Sequence, residues 1–278
     1  VKILQWDCLK TDETREYISI LCAGRQGTAL TIGGFDGPHL GHESLFAAIL
    51  DASRKLNLSP GIVTFTRSPG IAKQPGKYPG DVSTLNLRLA KFEQKGFEFV
   101  LLIDFSGDFG KMSGGTFFDI LVNIVHMRYV AVGPDFRCGH RLDTGTAEIA
   151  AISRKDGFQF DSIQQVDLDG QRISSSSVRT AIQSADFALA ERLLGHPFLL
   201  DFNAPEWQLS ENTLSVPNRS FTQILPRRGE YHVDLNTISG KQVDAMLCIN
   251  GERVIVSPLE GSFLPSTSEI STIQFRLS

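Results

Sequence analysis

The chain is poor in the features that would send it to nucleic acid, to a membrane or to an oxidising compartment. Its 27 Lys and Arg do not outnumber its 31 Asp and Glu. A net charge of −4 excludes a broad basic surface and a protein that lives on nucleic-acid backbones, so any anion it binds must be held locally. Only four cysteines occur, Cys8, Cys22, Cys138 and Cys248, with no Cys-x-x-Cys pair. That scatter supports neither a disulfide framework nor a structural zinc site and reads as free thiols in a reducing compartment. Apolar runs are of strand length, such as Phe99 to Ile103, and Asp7 interrupts the start where a signal peptide would be continuously apolar. A cytoplasmic protein without a membrane partner is therefore expected. No internal repeat or low-complexity tract stands out, and 278 residues suffice for two ordinary cores.

From Thr28 to about Gly133, short β-rich runs alternate with stretches of helical periodicity, the pattern of a parallel α/β sheet. Strands are expected at Ala29–Gly33, Gly61–Phe65, Phe99–Ile103 and Tyr129–Gly133, and helices at His42–Leu56, Thr84–Lys95 and Gly114–Val125. Right-handed crossovers then give an open doubly wound sheet with ligands outside the carboxyl ends of its strands. Ser174 to Leu194 reads as one or two further helices stopped at Gly195-His196-Pro197. Beyond residue 200 the runs are short and alternating: Tyr231–Leu235, Ala245–Ile249, Arg253–Val256 and Thr272–Leu277, the pattern of a small antiparallel sheet or barrel. The domain boundary is expected near 196–204. Arg67 to Asp81, rich in Pro and Gly, reads as a long loop.

Two segments carry phosphate chemistry. Gly33-Gly34-Phe35-Asp36-Gly37-Pro38 forms a tight turn after the first of those strands, and His42 opens the next helix, whose free N–H groups and dipole favour an anion. His39 and His42 are three apart and can reach one phosphate chain, while Gly41 removes a side chain where a nucleotide must come close. A neighbouring polyphosphate raises the proton affinity of an imidazole, which can then donate to oxygens that gain charge during transfer. The second segment is Ile173-Ser174-Ser175-Ser176-Ser177-Val178-Arg179, where hydroxyls at a helix start can cap or bind phosphate and Arg179 can supply a cation. Two anion-binding helix starts suggest one nucleotide gripped from both sides.

These segments, in order, resemble the bacterial FAD synthetases, often bifunctional riboflavin kinase/FMN adenylyltransferases, within the His-x-Gly-His nucleotidyltransferase superfamily. The resemblance covers most of 28–198 and is carried by Gly33 to His42, Val63-Thr64-Phe65, Gly133-Pro134-Asp135-Phe136-Arg137-Cys138-Gly139, Ile173 to Arg179, and Leu194-Gly195-His196-Pro197-Phe198. It implies an α/β, Rossmann-like doubly wound parallel sheet with a smaller C-terminal antiparallel β-barrel-like domain, divided as 1–198 and 199–278. It also implies the reaction of ATP with FMN to give FAD and pyrophosphate, with Mg2+ whose protein ligands the sequence does not identify. On that resemblance His39 and His42 hold the triphosphate, and Ser175, Ser176 and Arg179, beside the capping Ser174, hold phosphates from the opposite side. Gly33, Gly34, Phe35, Asp36 and Gly41 shape the nucleotide pocket; Phe65, Asp135 and Phe136 correspond to positions near the flavin. The chain departs from the family at Gly34, where Asn is usual, at Cys138, where an aromatic is usual, and at Thr66-Arg67-Ser68-Pro69, where Glu-Pro-His-Pro is common.

Leu225-Pro226-Arg227-Arg228-Gly229-Glu230-Tyr231 echoes the start of the riboflavin kinase barrel, but that module's Gly-x-Pro-Thr-Ala-Asn segment is missing between Phe198 and Leu225. The nearest string, Ser215-Val216-Pro217-Asn218-Arg219, lacks the threonine hydroxyl, and Glu260 reads as a loop acid. With the end at Ser278 leaving no room for a closing helix, a degenerate barrel without kinase activity is expected. Transfer to another phosphorylated acceptor, or flavin or nucleotide binding without turnover, are the competing expectations, and the sequence leaves oligomeric state open.

Overall fold

The computed structural model describes residues 1–67, 78–105, 108–164, 166–168 and 170–277. Most of the Arg67 to Asp81 loop, including Ser68 and Pro69, lies outside them. The chain divides into two compact units. The first comprises Val1–Phe35, Gly41–Lys77 and Leu89–Arg172; the second comprises Asp36–Leu40, Tyr78–Arg88 and Ile173–Ser278.

The first unit is a parallel α/β sheet. Its strands are β1 (Lys2–Gln5), β2 (Thr28–Ile32), β3 (Ser59–Phe65), β4 (Phe99–Ile103), β5 (Met127–Val132) and β6 (Gln159–Ser162). They lie in the order β1-β4-β3-β2-β5-β6, all parallel. Helices α1 (Asp12–Leu21), α2 (Leu40–Leu56), α3 (Leu85–Lys95), α4 (Gly114–Asn123) and α5 (Thr146–Asp156) alternate with the strands along the chain. Strands covered on both faces need continuous apolar sequence, and every residue of β2 and β4 is buried. One face packs Leu30, Val63, Leu101 and Val130 with Phe117, Phe118, Leu121 and Ile149. Phe46 of α2 forms another ring cluster with Phe35, Phe92 and Phe97.

The chain leaves β2 for β3 on one side, while β5 lies on the other side of β2. Connections therefore diverge at β2 and β5, and their carboxyl ends form the switch-point crevice of a doubly wound sheet. The four expected strands and three expected helices are present, with ends shifted by one or two residues. Edge strands β1 and β6, with α1 and α5, escaped the sequence pattern. Both edge strands are largely exposed, so neither shows the apolar run of an interior strand.

The second unit contains α6 (Ser175–Gln183), α7 (Phe187–Leu194) and an antiparallel sheet. The strands of the sheet are β7 (Leu199–Asp201), β8 (Gln208–Ser210), β9 (Thr213–Pro217), β10 (Gly229–Thr237), β11 (Gln242–Ile249), β12 (Arg253–Pro258) and β13 (Ile270–Phe275). They run β7-β13-β10-β11-β12-β9-β8, each pair antiparallel, and the sheet's inward positions alternate as in Leu214, Val216, Val254 and Val256. Phe187, Phe198 and Tyr231 pack around Phe275. The expected C-terminal strands are present; β7, β8 and β9 are additional. Gly195 ends α7 in the left-handed conformation (φ 75°), which suits glycine.

Candidate active site

In the first unit, a cavity of about 310 Å3 opens at the carboxyl ends of β2 to β5. Gly33 and Gly34 follow β2 and form one wall; Phe65 ends β3, and Phe105, Phe109 and Phe117 supply rings from beyond β4 and from α4. Phe136, Arg137, Cys138 and Leu142 come from the segment after β5. The rings form a continuous series: Phe65 and Phe105 have centroids 4.8 Å apart, Phe105 and Phe109 5.4 Å, and Phe109 and Phe117 5.8 Å. Such a wall suits a flat aromatic ligand.

On the side of Gly33 away from solvent, close packing leaves no room for a side chain. A Cβ there would lie 2.9 Å from the ring of Phe35, which turns back over it from a left-handed backbone (φ 44°). The Thr64 hydroxyl donates to the Gly34 carbonyl at 3.2 Å. At the other wall, Gly139 (φ 81°) leaves room for Asp143, whose Oδ1 accepts from the Gly114 amide at 3.0 Å and the Thr144 hydroxyl at 2.8 Å. Arg141 and Leu142 then follow in left-handed conformations (φ 55° and 59°), a local strain that carries the partly exposed Leu142 to the cavity. Burial, with a smaller effect from Asp143, pushes the Cys138 thiol up to about 12, so Cys138 is a neutral thiol near neutrality, beside the guanidinium of Arg137 on the same wall. Asp135, by contrast, does not line the cavity and forms an exposed ion pair with Arg172 at 2.7 Å.

The second unit holds a polar cluster centred on Asp36. Its carboxylate accepts from the amides of Val82 (2.8 Å) and Ser83 (3.2 Å), and pairs with Arg179, with both side chains largely buried at 10% and 14% exposure. Arg179 also donates from Nε to the Gly80 carbonyl at 2.9 Å and from Nη2 to the Tyr78 hydroxyl at 2.9 Å, with the Tyr78 ring 5.2 Å from the guanidinium carbon. Tyr78 in turn donates to Asp81 at 2.6 Å. Burial pushes the Asp36 carboxyl up, opposed chiefly by Arg179, and burial lowers the proton affinity of Arg88 against the pull of Asp36 and Asp81. A charge pair this deep is strongly interdependent: removing one member strands the other.

The Ser174 side chain caps α6 by accepting from the Ser177 amide, and Ser177 returns a bond to the Ser174 amide at 3.0 Å. The Ser175 hydroxyl donates to the Asp36 carbonyl at 2.8 Å, joining the serine-rich helix start to the segment that follows Phe35. Ser176 is exposed. His39 is 4% exposed and immediately precedes α2; burial pushes its ring down to about 4, so it is neutral at neutral pH. In the first unit, half-buried His42 lies in the first turn of α2, its ring 5.1 Å from that of Phe35, and Gly41 beside it is buried.

The structure therefore groups Asp36, Ser175 and Arg179 in one unit and Gly33, Gly34, Phe65 and Phe136 in the other. Sequence reasoning missed Phe105, Phe109, Phe117 and Leu142 on the cavity, and Tyr78 in the polar cluster. For the first two, an available signal was the Phe-x-x-x-Phe spacing just beyond a parallel strand's carboxyl end.

A family model for FAD synthetase matches residues 23–177. The bifunctional riboflavin kinase/FMN adenylyltransferase of Escherichia coli strain K12 is 31% identical over 239 residues, covering 84% of this chain and 76% of the relative. That of Haemophilus influenzae is 30% identical over 220 residues, covering 78% and 71% respectively. A crystal structure described as a macrolide-efflux protein from Streptococcus pneumoniae superposes with a TM-score of 0.74 at 23% identity, covering 90% of this chain and 92% of that one, and shares the fold. Among the described residues, no helix is long and apolar enough to cross a membrane. The chain belongs to the FAD synthetase family: it is a nucleotidyltransferase of the FMN adenylyltransferase type.

Proposed function

We propose that this chain transfers AMP from ATP to FMN, giving FAD and pyrophosphate, and that it has no riboflavin kinase activity. The observation that carries the first part is the ring-lined cavity beside Gly33 and Gly34, whose largely apolar, aromatic walls suit an isoalloxazine ring. A phosphate oxygen of FMN attacks the α-phosphorus of ATP; the new P–O bond forms as the bond to the β-phosphate oxygen breaks, and pyrophosphate leaves. No covalent enzyme intermediate is needed, so the protein contributes positioning and charge stabilisation.

In this reading His39, His42, Ser175, Ser176 and Arg179 bind phosphates, Ser174 holds the helix start, and Gly33, Gly34, Phe35, Asp36 and Gly41 shape the nucleotide pocket. Phe65 and Phe136 contact the flavin, and Asp135 lies near it. The triphosphate raises the proton affinity of His39 from its resting value, and protonation turns a ring with one N–H donor into a cation with two. Among the described residues no group of three His, Cys, Asp or Glu side chains is placed to hold a metal ion. Mg2+ fits as part of the ATP substrate, held chiefly by phosphates and water.

The functional division is an adenylyltransferase domain, 1–198, and a degenerate kinase-like domain, 199–278. Loss of kinase activity is supported by Pro217-Asn218-Arg219, which lacks a threonine, and by Glu260, an exposed turn residue. Pure protein with Mg·ATP and FMN is expected to form FAD, and its failure to do so while folded would overturn the proposal. Riboflavin with Mg·ATP is expected to yield no FMN; FMN formation would overturn the monofunctional part.

A further inference from the structure

The kinase-like sheet needs no kinase chemistry to serve the transferase. We infer that Gln223 and Asp201 of the C-terminal region are positioning residues for ATP binding, acting through residues 80–84 on Asp36 and Arg179. This inference rests on the phosphate-binding role proposed for Arg179.

Gln223 is 4% exposed, and its amide is used in both directions. The Nε2 group donates to the Val82 carbonyl at 2.9 Å and to the Leu199 carbonyl at 3.0 Å, while Oε1 accepts from the Asp201 amide at 2.7 Å. One side chain thus ties β7 to the 80–84 segment. The backbone adds a short parallel bridge: the Asp81 amide donates to the Thr222 carbonyl and the Ile224 amide to the Asp81 carbonyl, both at 2.8 Å. Asp201, 3% exposed, accepts from the Thr84 hydroxyl at 2.5 Å. Gly80 permits this approach, since a Cβ there would lie 2.8 Å from the Ile224 amide nitrogen, on a backbone at φ 114° that disfavours side chains.

The same short segment faces the charge pair. Val82 receives Gln223 on its carbonyl and gives its amide to Asp36; Gly80 gives its carbonyl to Arg179. An error in the segment's position is therefore transmitted to both members of the pair. Buried amides of this kind carry strict geometry because each unmet bond is costly. Nothing in this linkage requires the sheet to bind riboflavin, which gives a reason for keeping a sheet whose kinase segment is altered.

The test uses the full chain and the variants Gln223→Met, which retains volume without the amide, and Thr84→Val, with Ile238→Ser as control on an exposed site. Calorimetry measures Mg·ATP and FMN affinities separately, and thermal unfolding checks folding. Gln223→Met is expected to weaken Mg·ATP binding by about tenfold or more and Thr84→Val by a few-fold, each leaving FMN affinity within about twofold. Ile238→Ser is expected to change neither. Unchanged Mg·ATP affinity in folded Gln223→Met, or parallel loss of both ligands, overturns the inference. If Gln223→Met does not fold, Thr84→Val decides by the same criteria. Because binding is measured without turnover, absence of FAD synthesis by the unaltered protein would refute the preceding proposal separately.

Discussion

The Asp36 cluster and the ring-lined cavity solve different physical problems. The cluster is built from charge and directed hydrogen bonds: Asp36, Arg179, Tyr78 and the amides of Val82 and Ser83 each depend on the others. The cavity is built from rings and glycines whose contacts are individually weak and sum over area. Perturbing the cluster should therefore have large, cooperative effects, whereas perturbing the cavity should have graded ones.

The largest effect is expected from Asp36→Ala, which strands buried Arg179 and removes the acceptor for two amides. A loss of roughly 3–5 kcal/mol in folding free energy is expected, measured by urea denaturation. A loss below about 1 kcal/mol would show that the pair is solvated and erase the contrast.

Next is pH. In the unfolded chain His39 gains its proton near 6.5, whereas in the folded protein it does so only at about 4. Between those values the unfolded state binds more protons, so the contribution present above pH 6.5 is lost as pH falls toward 4, by up to about 3 kcal/mol. Stability curves of the parent and His39→Gln should converge in slope above pH 6.5 and diverge below it. Equal slopes throughout would contradict the buried neutral ring.

On the cavity side, Phe65→Ala removes one ring while Phe105 and Phe109 remain. FMN affinity should fall about tenfold, roughly 1.4 kcal/mol, with Mg·ATP affinity unchanged. If both ligands weaken equally, the two regions are not functionally separate.

The smallest effect is expected from Cys138→Ala, with less than about 1 kcal/mol lost and FMN affinity within about twofold. The raised thiol should also make Cys138 alkylate at least a hundredfold or so more slowly than exposed Cys8 at the same pH, as followed by mass spectrometry. Equal rates would mean that the wall carries an accessible thiolate.

Legibility in the sequence followed the range of the interactions. β2 and β4 were readable because burial on both faces demands apolar runs such as Phe99-Val100-Leu101-Leu102-Ile103. β7 and β8 were not, being three residues each and recognisable only by their pairing with β13 and β9. Ser174 was readable as a cap because its partner lies three residues away, whereas the bond from Ser175 to the Asp36 carbonyl spans 139 positions. Asp135 stands near the flavin on resemblance alone; its exposed pair with Arg172, 37 residues on, is a long-range contact that no local pattern announces.

The sequence by itself determined the α/β class, the order of the motifs and the family, because local periodicity, turn chemistry and helix starts are written in adjacent residues. Only the tertiary structure decided that Arg179 rests against Asp36, that His39 is neutral, and that Gln223 ties the C-terminal sheet to that pair. Burial and long-range hydrogen bonds set those properties, and both depend on partners that the chain brings together only when it folds.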